Sequence, residues 1–157
     1  MRDSDTQAPL TDFDAQERSN WAGQAEDYRT SYALVCAGAV PYLADPASIR
    51  PGSLVLDVGT GTGTAAAAAI AHGAKVTAVD ADPGMVATAA ALAAEAEFHV
   101  AALPTLPFGD RQFDLVLANF VLNHVGRPRA ALAELRRVTV PGAASRSPSG
   151  PTRPRPR

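Results

Sequence analysis

Asp57, the glycines at positions 59, 61 and 63, and Asp80 form the most chemically suggestive set in this chain. The run VLDVGTGTG starts apolar, breaks at an acid and passes into three alternating glycines. Lacking a Cβ, glycine adopts positive φ without steric cost, so such a loop turns tightly and brings its backbone against a ligand. A second apolar run, KVTAVD, ends at Asp80. That acid lies about 20 residues past Gly59, the spacing at which nucleotide-binding folds place a ribose-binding carboxylate.

These residues need elements that aim them at one place. Residues 53–58, 75–80, 96–100 and 113–119 read as four short strands. TAAAAAIAHG, residues 64–73, reads as a helix rich in the best helix former and stopped by Gly73. Asp82 is placed to cap the next helix, with Pro83 at its first position. Strand, glycine loop, helix, strand and acid make a right-handed βαβ unit. Its loop opens onto a helix N-terminus, where free N–H groups and the helix dipole favour electronegative ligand atoms. Near the start of the chain, Trp21, Ala25, Tyr28, Tyr32, Val35 and Ala39 recur at spacings of three or four. They predict one face of a helix over residues 21–44, either closing over a ligand or packing its aromatics into the core.

Asp57 separates two ligand classes. Gly61, Gly63 and Ala66 satisfy the G-x-G-x-x-A dinucleotide pattern, so an NAD-dependent oxidoreductase stays open. A carboxylate just before the loop, however, repels the doubly anionic pyrophosphate of a dinucleotide. S-adenosylmethionine has no phosphate and carries a sulfonium and an ammonium group, for which that carboxylate is tolerable or helpful. The residues favour S-adenosylmethionine, while a turn-capping role for Asp57 leaves the dinucleotide as the alternative.

His124 follows the fourth strand and is the one histidine expected near the cleft. It can take a proton from a substrate hydroxyl or, alternatively, cap a helix or pack against substrate. His72 and His99 read as structural. No His, Cys or carboxylate cluster has metal-ligand spacing, and no nucleophile elbow or lysine P-loop is present. Cys36 is the single cysteine, in an apolar segment, and reads as a buried thiol. The net charge of −2 divides unevenly: residues 145–157 hold four arginines and no acid, leaving 10 basic against 16 acidic residues before them. That balance argues against nucleic acid as a partner. No apolar run nears the roughly 18 residues that span a bilayer, and the acidic start is unlike a signal peptide, so a cytoplasmic protein is expected.

The chain resembles the class I S-adenosylmethionine-dependent methyltransferases, in particular the small-molecule branch that includes quinone-biosynthesis and secondary-metabolite enzymes. Four blocks carry the resemblance in the family's order: VLDVGTGTG, KVTAVDADPGMV, LPFGDRQFDLVLANFVLNHV and RPRAALAELRRVTVPG. It implies that Asp57 and the loop Gly59, Thr60, Gly61 and Gly63 hold the methionine part of S-adenosylmethionine. Asp80, with Ala81 beside it, would accept the ribose hydroxyls. Met85 would pack on adenine, Ala102 or Leu103 would border it, and Asn119 would contact the amino-acid end. Tyr28 would lie near the methyl group. Ala102 is a departure, since many relatives carry an acid there that hydrogen-bonds the adenine.

A larger departure follows Pro141 and Gly142. The resemblance implies a fifth strand, but AASRSPS has proline, arginine and serines where a β-branched run is needed. The expected fold is therefore α/β, Rossmann-like, with an incomplete, apparently truncated parallel sheet of about four strands in the order 3-2-1-4. The expected layout is a flexible N-terminus over residues 1–18, a methyltransferase-like domain over 19–142 with its cap at 21–44, and a disordered Pro/Arg-rich tail over 143–157. The fourth strand would form a bare apolar edge, which predicts pairing into a homodimer. The expected activity is methyl transfer from S-adenosylmethionine to an O, N or C nucleophile of a small-molecule acceptor, without membrane or nucleic acid. A non-catalytic cofactor-binding fragment is the alternative.

Overall fold

Alternation along the strands decides what faces each side of the sheet. The computed structural model describes residues 10–45, 48–142 and 145–146. Strands β1 (Leu54–Val58), β2 (Lys75–Asp80), β3 (Glu97–Val100) and β4 (Leu115–Leu117) run parallel in the order β3-β2-β1-β4. Val55, Val76, Ala78, Leu115 and Leu117 point to one face, and Leu56, Val58, Val79 and Val116 to the other. Two apolar layers result, as a parallel sheet covered on both sides requires.

The first layer is closed by helix α5 (Thr64–Ala71), whose Ala65, Ala66 and Ala69 are buried against β1 and β2. Small side chains let this helix approach the sheet closely. Helix α6 (Pro83–Leu92) starts where the sequence predicts: the Asp82 side chain accepts the Met85 N–H at 2.9 Å, with Pro83 in the first turn. On the second layer, α7 (Pro128–Val138) buries Ala131, Leu135 and Val138 at helical spacing. Its Arg137 faces outward and pairs with Asp110 and Glu134.

Three expectations need correction. The expected parallel order 3-2-1-4 stands, but β4 is not a bare edge. A fifth strand, β5 (Ser145–Arg146), pairs parallel with Val116 and Leu117, and Thr139 bridges Phe113. The Gln112 and Phe113 N–H groups donate to the Val138 carbonyl, and the Val140 N–H donates to that of Phe113. Strand pairing of this kind uses backbone groups, which every residue but proline supplies in full. The premise for a dimer through an exposed β4 is thereby removed.

The second correction concerns the N-terminus. Within the segment expected to be flexible, Asp12–Trp21 forms helix α1, started by a capping box in which Thr11 and Asp14 satisfy each other's backbone N–H groups. Third, the cap over residues 21–44 is not one helix. It breaks into α2 (Ala25–Thr30), α3 (Tyr32–Ala37) and α4 (Val40–Leu43). Gly23 at φ +74° and Ser31 at φ −128°, ψ −92° depart from helical geometry, and Pro41 opens α4. The remaining residues of the expected flexible start and Pro/Arg-rich tail, 1–9, 143–144 and 147–157, lie outside the described residues.

Candidate functional site

Above the carboxyl ends of β1, β2 and β4, where open parallel sheets bind ligands, lies a cavity of about 540 Å³. The chain builds its floor with glycines. Gly59 takes φ +66°, and a Cβ there would meet Val121 Cγ2 at 2.5 Å, so the loop passes directly under the segment that follows β4. A Cβ on Gly61 would come within 3.1 Å of the Tyr28 ring. Gly63 plays another part, since it does not line the cavity: it sits at φ +88° against the backbone of Ala89, letting α5 and α6 close together.

Two acids organise this floor. Asp57 is fully buried; its Oδ2 accepts the Thr60 hydroxyl at 2.8 Å, and its Oδ1 has no partner. Burial, reinforced by the charge of Asp80 and opposed by the Thr60 hydroxyl and the nearby Ala66 N–H, pushes its carboxyl up to about 6. Asp80 accepts the Gly61 N–H at 2.9 Å through Oδ2 and the Asp82 N–H at 3.0 Å through Oδ1. Its carboxyl is also raised, first by burial, while the two N–H groups pull the other way. Each oxygen keeps a lone pair for a further donor. Beside Asp57, Asn119 donates through Nδ2 to the Cys36 carbonyl at 3.2 Å and leaves Oδ1 unpartnered. Asp57 and Asn119 share a polar recess with Tyr28, Cys36, Gly59 and Thr60.

Ala81, Met85, Ala102 and Leu103 line the same large cavity as Gly59, Gly61, Asp80 and Asn119. Of the predicted binding residues, Asp57 and Thr60 line only the adjoining small recess and Gly63 lines neither. Tyr28 stands between the glycine loop and Cys36. Burial above all, and then Cys36 and the nearby carboxylates, hold its phenol well above the ordinary range. A phenol kept protonated in this way packs or donates and does not serve as a base.

The roof of the cavity joins Trp21, Tyr28, Tyr32 and His124, which the sequence indicated, to Asp14, Glu17 and Phe120, which it did not. Glu17 Oε2 meets His124 Nδ1 at 2.6 Å, and Asp14 Oδ1 accepts the Gly126 N–H at 2.7 Å. Trp21 stands edge-on to His124, Tyr28 and Tyr32, with centroids at 5.4, 5.5 and 6.4 Å. Phe120 enters from the end of β4 at φ +55°, an uncommon conformation for a side chain of its size. The Thr11–Asp14 box was readable as a helix start. Nothing local indicated where that helix would dock.

Parallel strands, a glycine loop at a helix N-terminus and an acid ending the second strand define a nucleoside-binding α/β domain. The family of this chain follows from comparison: it belongs to the methyltransferase domain family, whose model matches residues 56–145. It is 38% identical over 100 residues to the demethylmenaquinone methyltransferase of Renibacterium salmoninarum, a match covering 64% of this chain and 42% of that protein. A malonyl-[acyl-carrier protein] O-methyltransferase of Erwinia billingiae is also 38% identical over 100 residues, covering 64% of this chain and 40% of that protein. The chain therefore spans about two fifths of these relatives' length. Among solved structures, the Burkholderia thailandensis 1,6-didemethyltoxoflavin-N1-methyltransferase, with bound 1,6-didemethyltoxoflavin and S-adenosylhomocysteine, has a TM-score of 0.70 at 26% identity. That similarity covers 88% of this chain and 64% of the other.

Proposed function

We propose that this chain binds S-adenosylmethionine in the cavity above the sheet and transfers its methyl group to a small-molecule acceptor held beneath the cap. The observation that carries the reading is the pair of buried oxygens without partners, Asp57 Oδ1 and Asn119 Oδ1. Buried acceptors that lack a donor are costly, and a ligand ammonium group would satisfy both. An ammonium also suits an Asp57 that cannot hold its charge cheaply when alone. The other lining residues fit the rest of the cofactor: Asp80 keeps acceptor capacity for ribose hydroxyls, and Met85 and Leu103 offer an apolar border for adenine. A dinucleotide fits poorly, because its pyrophosphate would meet Asp57 and Asp80 at the loop.

When bound, S-adenosylmethionine supplies an electrophilic methyl group on a sulfonium centre. The protein's own part is alignment and exclusion of water. Gly59 and Gly61 let the backbone close on the ligand, Asp80 anchors it, and Trp21, Tyr28 and Tyr32 roof the reacting end. Trp21, Val35, Phe120 and Val121 make that end largely apolar, which suits a flat, apolar acceptor. The named relatives act on acceptors of more than one kind, in keeping with an acceptor end that varies while the cofactor end is kept. Among the described residues no helix is long and apolar enough to cross a membrane; we place the protein in the cytoplasm.

Calorimetric titration with S-adenosylhomocysteine tests the reading. Binding by the unmodified chain that is lost in Asp80→Ala supports the site, and absence of binding overturns it. Binding without transfer of labelled methyl to any acceptor would leave a cofactor-binding protein and reject the enzyme.

A further inference from the structure

Above the cofactor floor, α1 and the segment after β4 assemble a pair of ionisable groups that methyl transfer by alignment alone does not require. Glu17 Oε2 lies 2.6 Å from His124 Nδ1, across 107 positions of sequence, and the same oxygen accepts the Trp21 indole N–H at 3.3 Å. The hydrogen bond to His124 is the main reason that Glu17 is held below the usual carboxylate range. A carboxylate against Nδ1 assigns the ring proton to that nitrogen and leaves Nε2 with a free lone pair. Consistent with this, Nε2 faces the Asn123 side-chain amide at 3.0 Å, an exposed donor that an incoming hydroxyl can replace.

We propose that His124 is the base that removes the acceptor's proton and that Glu17 is its positioning residue, so that the acceptor is a weakly acidic hydroxyl compound such as a phenol or enol. This rests on the methyl-transfer reading above. The acceptor's O–H bond breaks as its oxygen bonds to the methyl carbon. The methyl–sulfur bond breaks with its electron pair passing to sulfur, which becomes a neutral thioether, and the proton goes to His124 Nε2. The imidazolium so formed lies against Glu17 and returns its proton to water through the half-exposed side of the ring.

Other groups are less suited to this step. The remaining ionisable residues lining the cavity are Asp14, Arg18, Tyr28, Tyr32, Cys36, Asp80 and Asp82. Asp14 is committed to Thr11 and Gly126, Asp82 to Met85, and Asp80 to two backbone N–H groups. Tyr28 is held protonated, and Arg18 is a cation. Among the described lining residues His124 is the one histidine.

The full chain, saturated with S-adenosylhomocysteine and labelled with 15N-histidine, reads the arrangement directly by NMR. The proton is expected on Nδ1, and its exchange with water should quicken at least about tenfold in Glu17→Gln. A proton on Nε2, or an Nδ1–H indifferent to Glu17→Gln, would overturn the assignment. The rate test compares two acceptors at about pH 8.5: phenol, still largely neutral, and 4-nitrophenol, already an anion. His124→Gln should lower kcat with phenol about 10²–10⁴-fold, the usual worth of a base, and alter the 4-nitrophenol rate less than about threefold. Glu17→Gln should lower kcat with phenol about 10- to 100-fold at unchanged KM for S-adenosylmethionine. Equal losses with both acceptors would reduce the pair to a structural latch and overturn the base role. Methylation of neither acceptor by a chain that binds S-adenosylhomocysteine would overturn the acceptor class. Failure to bind S-adenosylhomocysteine breaks the cofactor reading itself, whereas binding with the proton on Nε2 breaks only the base.

Discussion

The glycine loop and the cap face each other across one cavity, yet they are held in place by different means. The loop joins neighbours in sequence: Val58 to Thr64, with Asp80 arriving on the adjacent parallel strand and Gly61 donating to it at 2.9 Å. Its geometry follows from glycine torsions, a helix N-terminus and strand pairing. The cap is four short helices whose connection to the sheet depends on a few contacts, among them Asp14 to Gly126, Glu17 to His124 and Asn119 to Cys36. The difference teaches a division of labour: a locally encoded floor lies beneath a roof held by a few long-range contacts. Few contacts also imply lower local stability, as expected of an element that must admit a substrate.

The largest test of the floor is Asp80→Ala. It removes two prospective charge-assisted bonds to ribose, each worth about 1.5–3 kcal/mol, and should weaken S-adenosylhomocysteine binding at least about 100-fold by calorimetry. A change under tenfold would mean that the floor is not the cofactor site. Asp57 gives the next largest effect, with a distinctive pH dependence. Its folded value of about 6 lies above the ordinary 3.8, so the protonated form favours folding. That contribution is complete below about 3.8 and is lost as pH rises through 6, a difference of roughly 3 kcal/mol. Asp57→Asn should therefore be more stable than the native chain at pH 8 and equal to it near pH 3.5 in denaturant titrations, while binding ligand more weakly. Equal stability at both pH values would show that Asp57 is not charged and buried as described.

Gly63→Ala separates packing from ligand contact within the floor. Its left-handed torsion and a 3.0 Å approach to the Ala89 backbone predict a loss of about 2 kcal/mol, a fall in Tm of roughly 4–8 °C. Ligand affinity, measured below the melting range, should stay within about threefold, because this glycine does not line the cavity. The smallest effect belongs to the roof. Asp14→Ala removes half of a capping box and the bond to Gly126, at about 1 kcal/mol. Hydrogen exchange should quicken over residues 12–21 and stay unchanged over 54–58 and 75–80. Quickening in the strands as well would erase the distinction between floor and roof.

The legibility of each part tracks the range of the interactions that make it. Asp57, the glycines, Asp80 and the Asp82 cap were readable because a torsion, a cap or a strand's end is announced by residues within a few positions. The βαβ order followed from the same local signals and the handedness of crossovers, whereas the strand order 3-2-1-4 came only with the family resemblance that those motifs carry. The cap was misread as a single helix because its apolar spacing continues across Gly23 and Ser31, where the backbone turns away. β5 was missed because its pairing to β4 uses backbone groups that every residue possesses.

By itself the sequence determined a parallel α/β unit, a glycine loop between two acids, and hence a nucleoside-like ligand, with Asp57 favouring one that brings no phosphate to the loop. Tertiary structure alone decided that α1 folds back over the site, that Glu17 meets His124, that β4 is covered, and that Asp57 and Asn119 present unpartnered oxygens to one recess. The physical reason is range. Torsions and caps are settled within one turn of chain, whereas a contact across 107 positions exists only after the sheet has placed both partners and the entropy of closing that loop has been offset by burial.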